Sequence, residues 1–324
     1  MTKRGWIPLA ALGALAVALP GGASGQQDSL PASYKVPGAT TFPEGVATHS
    51  PKFWVSSFSH GTIYVGNIHN AQMHVWLPGK TAQNSADGRS EAAGMKVSKD
   101  GSKLYVAGGT TGHIWVYDTA TKALIRRFDT GTGGVLNEVA LASDGTVYVT
   151  DSKRPFLFRI SPGAVPSGTP GDHIQLTAWV SNLPAYTTVP GITANANGVV
   201  ANAVNVIYVQ SNTGQLWKVR RSNKVVTEIP VDSGPLTHGD GMIFDHHQLL
   251  VVRNALKEID KLTFSSNGHA TVTDTFTSPS FQFPTGIAAL SQRMVVVNSQ
   301  MDKKVPPATP TLPFTVSAIP RPVP

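Results

Sequence analysis

The chain has 324 residues, 26 Lys and Arg against 19 Asp and Glu, a formal net charge of +7 and no cysteine. A content of 41% hydrophobic and 14% charged residues fits an ordered globular protein and excludes an extended disordered one. Without cysteine there are no disulfides and no lipid-modified thiol, so stability must come from a large core, which a chain of this length can bury.

At the N-terminus, Lys3 and Arg4 precede the short apolar run Ile7–Pro20, and Ala23–Gly25 supplies small residues for cleavage. This is the pattern of a secretion signal over 1–25, leaving a mature chain of 26–324 that is secreted or held in the periplasm or cell envelope. The apolar run falls short of the ~20 residues of a membrane span; an uncleaved anchor is the alternative. Without Lys3 and Arg4 the balance is 24 basic against 19 acidic residues, or +5. The dense basic clusters, Arg126–Arg127 and Lys218–Arg221, end strand-like segments, where charge discourages edge pairing. No aromatic-basic stripe follows them, so neither a nucleic-acid partner nor a membrane span in the mature chain is expected.

From Glu44 onward similar segments recur, opening at Glu44, Ala93, Asn137, Asn197, Asp240 and Thr285, at intervals of 49, 44, 60, 43 and 45 residues. Each has a short apolar strand, a turn, a β-branched or aromatic run such as "KLYVAG" or "TVYVTD", and an alternating strand such as "HIWVYD" or "QLWKV". The turns Asp100–Gly101 and Asp144–Gly145 are strong hairpin signals. A period near 45 residues with about four strands per unit predicts an all-β, six-bladed β-propeller with four-stranded blades. The long interval holds "SPGAVPSGTPGDHI", Ser161–Ile174, expected as a Pro/Gly-rich loop on one face. The last unit is short of strands. "PFTVSAIP", Pro313–Pro320, and "SYKVPG", Ser33–Gly38, can complete it, so that strands from both ends of the chain close one blade.

In such a ring the residue entering each innermost strand points toward the axis. Glycine follows five of the six entering residues, the exception being Glu138 after Asn137, and glycine permits close backbone approach where strands converge. Glu44, Asn137, Asn197 and Asp240 would then face one axial pocket. An oxygen-only set suits a hard divalent cation, and calcium suits it best because its flexible coordination accepts carboxylate and amide oxygens with water. For any one of these dipeptides alone, an ordinary turn is the simpler reading.

Taken in order, "FPEGVA", "LNEVAL", "ANGVVA" and "GDGMIFD" resemble the four motifs of the SMP-30/gluconolactonase family of six-bladed propellers, and the likeness runs over most of the mature chain. The resemblance implies that Glu44, Asn197 and Asp240 bind a divalent metal. It implies that Asn137 contacts substrate or a metal-bound water and that Asp240 is also the candidate general base. Members hydrolyse lactones, and some relatives act on organophosphates. One departure is Val135, which stands where sugar-lactonase members often carry an arginine two residues before the motif asparagine. His238, two residues before Asp240, would border the pocket mouth as a substrate contact or be a plain loop histidine; Thr285, the sixth entering residue, would also meet substrate.

Other signals fail on their chemistry. "PGKT", Pro78–Thr81, lacks the first glycine of a phosphate loop, since position 74 is His74. No G-x-S-x-G elbow occurs, and the histidines show no zinc spacing. Trp76, Trp115 and Trp217 fall on strands as packing residues. The expectation is a monomeric, exported, metal-dependent hydrolase of a small-molecule lactone or related ester. The rival is a non-catalytic propeller that binds a partner through its loops and keeps a structural calcium.

Overall fold

A computed structural model describes residues 30–79, 88–165, 172–192 and 194–321. The expected signal segment lies outside the described residues. Among these, strands dominate and helix is confined to two single turns, Pro162–Ala164 and Met301–Lys303. No helix among the described residues is long and apolar enough to cross a membrane.

The strands form antiparallel meanders that each start with one inner strand: Pro43–His49, Met95–Val97, Leu136–Leu141, Ala196–Ala201, Gly239–Asp245 and Pro284–Leu290. Each of these touches the next in chain order, and Pro284–Leu290 returns to touch Pro43–His49, so the contacts run in a closed cycle. The two ends of the chain meet where that cycle closes. Ser33–Val36 pairs antiparallel with Phe314–Pro320, placing Tyr34 opposite Val316 and Val36 opposite Phe314. A single parallel bridge, Lys35 to Gln72, links this edge to the outer strand Asn70–Leu77 of the first meander, so the two meanders share one eight-stranded sheet.

Period-two alternation places successive side chains of a strand on opposite faces of its sheet. Here both faces are apolar, because each sheet is sandwiched between two others. In the third meander Tyr148 packs toward the fourth, while its neighbours Val147 and Val149 pack toward the second. In the fifth, Leu250 packs against Ile287 and Met294 of the sixth, and Val251 against Val209 of the fourth. The core is therefore a cycle of inter-sheet clusters. Trp76 is buried in one of them, edge-on to Trp54 and Tyr117, and Trp115 is fully buried beside it. The hairpin turns at Gly101 and Gly145 adopt the positive φ that glycine accepts, and Asp100 and Asp144 cap them through the amides of Ser102 and Thr146.

The insertion departs from its expected form. It does not end as a loop: Asp172–Gln175 forms a strand parallel to Leu124–Asp129, extending the second sheet to five strands. Proline and glycine mark where the chain leaves the third meander. The backbone donors left open on the edge of the second sheet determine where it pairs again.

The inner strands share a second feature. In five of the six, the register slips between the residue before the motif pair and the residue after it, so two residues oppose one on the partner strand. Those two are Glu44–Gly45, Asn137–Glu138, Asn197–Gly198, Asp240–Gly241 and Thr285–Gly286. Such a β-bulge breaks the alternation and re-aims side chains locally. In the second unit the strand begins only after the pair, at Met95.

The glycines in these bulges have no room for a side chain. A Cβ on Gly241 would lie 2.5 Å from the Thr285 carbonyl oxygen, and one on Gly286 would lie 2.8 Å from that of Glu44. A Cβ on Gly198 would overlap the Asp240 carbonyl outright. Gly198→Ala is therefore expected to lower stability in denaturant melts by about 3 kcal/mol. Gly163→Ala, where a Cβ meets nothing within 4 Å, should change it by less than about 0.5 kcal/mol. Equal effects at the two sites would contradict the close approach.

Candidate functional site

The bulges bring the motif residues to the floor of one cavity of about 660 Å³. Glu44, Asn137, Asn197, Asp240 and Thr285 all line it, although they lie far apart along the chain. The backbones of neighbouring units are tied to one another. Ser56 accepts from the amide of Gly45 at 2.8 Å and donates to the carbonyl of Ala93 at 2.7 Å. Thr150 does the same between Glu138 and Asn197, at 3.1 and 2.7 Å. Thr285 donates its hydroxyl proton to the Glu44 carbonyl at 2.8 Å. The floor is thus held by serine and threonine hydroxyls bonded to main chain, independent of what its acidic side chains do.

His238 is not among the described residues that line the cavity. Its backbone adopts a left-handed φ of +62°, its amide donates to Ser211 O, and its carbonyl accepts from Asn254 N. It is a turn residue that sets the start of the Asp240 strand. Thr285 lines the floor, but its hydroxyl proton is committed to Glu44.

Two buried oxygens on the floor have no donor, Oε2 of Glu44 and Oδ1 of Asn197. Glu44 and Asp240 are 8% and 5% exposed. Asp240 Oδ2 accepts from Asn254 Nδ2 at 2.8 Å, and Asn197 adds a further side-chain hydrogen bond. Asn137 is held from behind, its Nδ2 donating to Ser152 Oγ at 2.8 Å.

A third carboxylate, Glu138, is buried beside them and accepts from the Val139 amide at 2.9 Å. Burial pushes the Glu44 carboxyl well above its usual range, and the charges of Asp240 and Glu138 push it further. Burial also raises Glu138 and takes Asp240 up to about 7, against the lowering effect of Asn254. Among the described residues, the cation that opposes these shifts at Glu44 and Glu138 is Lys96, which lines a smaller opening of about 250 Å³ at the far ends of the inner strands.

Unsatisfied buried acceptors beside clustered carboxylates are what a bound cation would satisfy. The donor set fits a hard ion: carboxylate oxygens of Glu44 and Asp240 and the amide oxygen of Asn197. Among the described residues there is no metal-ready group of three or more His, Cys, Asp or Glu side chains. The floor is a different chemistry, with its remaining oxygen drawn from an amide.

Sequence reasoning missed Glu138, Ser152, Lys153 and Asn254. A signal was present: the second strand of several units ends in a small hydroxyl residue or an asparagine. Ser57, Ser152, Ser211 and Ser299 are all buried at such ends, and Asn254 occupies the same place in the fifth unit.

No protein-family model matches the chain, and no curated protein sequence matches it. Solved structures do. A calcium-binding regucalcin from Agrobacterium tumefaciens superposes with a TM-score of 0.62 at 14% identity, covering 90% of this chain and 96% of that one. The major allergen Mala s 1 of Malassezia sympodialis gives 0.65 at 12% identity, over 90% and 96%. Virginiamycin B lyase from Staphylococcus aureus gives 0.55 at 12% identity, over 89% and 98%. At such identities the likeness shows the fold, which is a β-propeller.

The three acids have folded-state pKa values above those of the unfolded chain, so the native state holds more protons. Their contribution is full below the ordinary carboxylate range and is lost as pH rises through the raised values. In EDTA the melting temperature should fall by roughly 5 °C or more between pH 5 and pH 8, and added calcium should restore it at pH 8. A flat profile that calcium does not change would contradict the buried cluster.

Proposed function

We propose that this protein is a six-bladed propeller of the SMP-30/gluconolactonase type, exported from the cell, that hydrolyses lactones or related esters with a divalent cation, calcium, on its axis. The observation that carries this reading is the pair of donorless buried oxygens, Glu44 Oε2 and Asn197 Oδ1, on the same floor as Asp240. Likeness in fold to a calcium-binding regucalcin supports it.

Glu44, Asn197 and Asp240 would hold the ion, which when bound supplies polarisation of the substrate carbonyl. Each residue then has a distinct task. Asp240, which Asn254 holds at Oδ2 and Asn197 holds by a further hydrogen bond, would take the proton of the attacking water. Asn137, held by Ser152, presents its amide to the substrate at the floor. Phe58, Val135, Ile192, Phe283 and Met301 form apolar wall that excludes bulk water and accepts the carbon skeleton of a small ester. Hydrolysis breaks the acyl C–O bond, the water oxygen joins the acyl carbon, and the ring oxygen leaves as an alcohol by taking up the proton that Asp240 received from the water.

The depth at which Glu44 and Asp240 are buried equally suits a structural ion in a partner-binding propeller. The cavity directly above them favours the hydrolase.

The test is turnover of a small lactone panel with calcium, with EDTA, and in Asp240→Asn. Chelation and the substitution should each reduce the rate at least about a hundredfold. Activity indifferent to both would refute the mechanism. A calcium-dependent rise in melting temperature with no turnover of any lactone would favour the structural ion.

A further inference from the structure

The cavity carries charge at two levels. At the floor are the acids Glu44 and Asp240. Among the described residues that line it, the single cation is Lys153. No acid lies within ion-pair distance of the Lys153 ammonium among the described residues, and it makes no side-chain hydrogen bond there, whereas the neighbouring Arg154 is engaged by Asp151 and Thr130. The side chain of Lys153 is exposed, but its backbone is not free. Asp151, fully buried, accepts at Oδ1 from the amides of Val135, Lys153 and Arg154, each at 2.9 Å, and its Oδ2 accepts from Arg154 Nε at 2.7 Å. The Tyr186 hydroxyl donates to the Asp151 carbonyl. The turn thus fixes the backbone of Lys153 beside the cavity, and it is hydrogen-bonded to the backbone of Val135, another lining residue. A second ammonium, Lys304, sits 4.6 Å from the ring of Phe58, another wall residue.

We propose that Lys153 is the specificity-determining residue of this cavity and that it selects lactones or esters carrying a free carboxylate. This deepens the reading of the cavity as a hydrolase site and rests on it. A ligand of this class would direct its acyl oxygen to the floor and its carboxylate to the Lys153 ammonium, matching the charge at both ends. Lys153 acts in binding; it makes and breaks no bond.

The experiment compares γ-butyrolactone with γ-carboxy-γ-butyrolactone, in calcium, by calorimetric binding and by hydrolysis. The native protein is expected to bind the carboxylated lactone about fivefold more tightly, a preference that weakens with added salt. Lys153→Gln should bring the ratio to about one, Lys153→Arg should keep it, and the melting temperature should be the same in all three proteins. No preference in the native protein, or a preference that survives Lys153→Gln, would overturn the proposal. Turnover of both lactones without preference would defeat the anion site and leave hydrolysis standing. A Lys153-dependent preference in binding without turnover of either would defeat hydrolysis and leave the anion site standing.

Discussion

Among the described residues, neighbouring inner strands approach one another at a distance that side chains do not permit. The chain meets that constraint with a glycine behind nearly every entering residue. Gly45 abuts the Ala93–Gly94 backbone, Gly94 that of Asn137 and Glu138, Gly198 that of Asp240, Gly241 that of Thr285, and Gly286 that of Glu44. The step from the third strand to the fourth has no glycine. Thr150 spans it with its hydroxyl between Glu138 and Asn197. The apolar clusters between sheets depend on this convergence, since each sheet buries both faces only if its neighbours stand close on either side.

The same contacts create the chemistry. Close approach excludes water from the axis, and the bulges turn the entering side chains onto it. Carboxylates so placed are costly in their charged form. Among the described residues, Glu44 and Glu138 feel the opposing charge of a half-buried lysine, Lys96. The divalent ion proposed above would offset several desolvated charges at once and supply the partner that Glu44 Oε2 and Asn197 Oδ1 lack. The ring does not need the ion to close, because its cross-ties run through main chain, serine and threonine. The cost of the acids is therefore carried by the core, and a bound cation removes it.

Much of this arrangement could be read in the chain itself. Asp-Gly turns at 100–101 and 144–145, the recurring entering pairs, and the apolar strands between them are local features, and local features leave local patterns. So Glu44, Asn137, Asn197, Asp240 and Thr285 could be named before any geometry was known. What escaped depends on tertiary register. A bulge is one extra residue against a partner strand, invisible without the partner. The strand Asp172–Gln175 forms because an edge of another sheet has free donors, which nothing in its own Pro/Gly-rich surroundings announces. His238 looked functional from its nearness to Asp240 in sequence, yet its left-handed turn serves the backbone. Lys153 and Asn254 lie in the turns that follow second strands, and only the folding of each meander brings them beside the entering residues.

The most direct test of this account is a crystal structure of the protein grown with calcium. The account predicts an ion on the axis, about 2.3–2.6 Å from oxygens of Glu44, Asn197 and Asp240, with the cavity open above it. An axis that stays free of metal at saturating calcium, or an ion bound elsewhere with Glu44 and Asn197 turned apart, would contradict it.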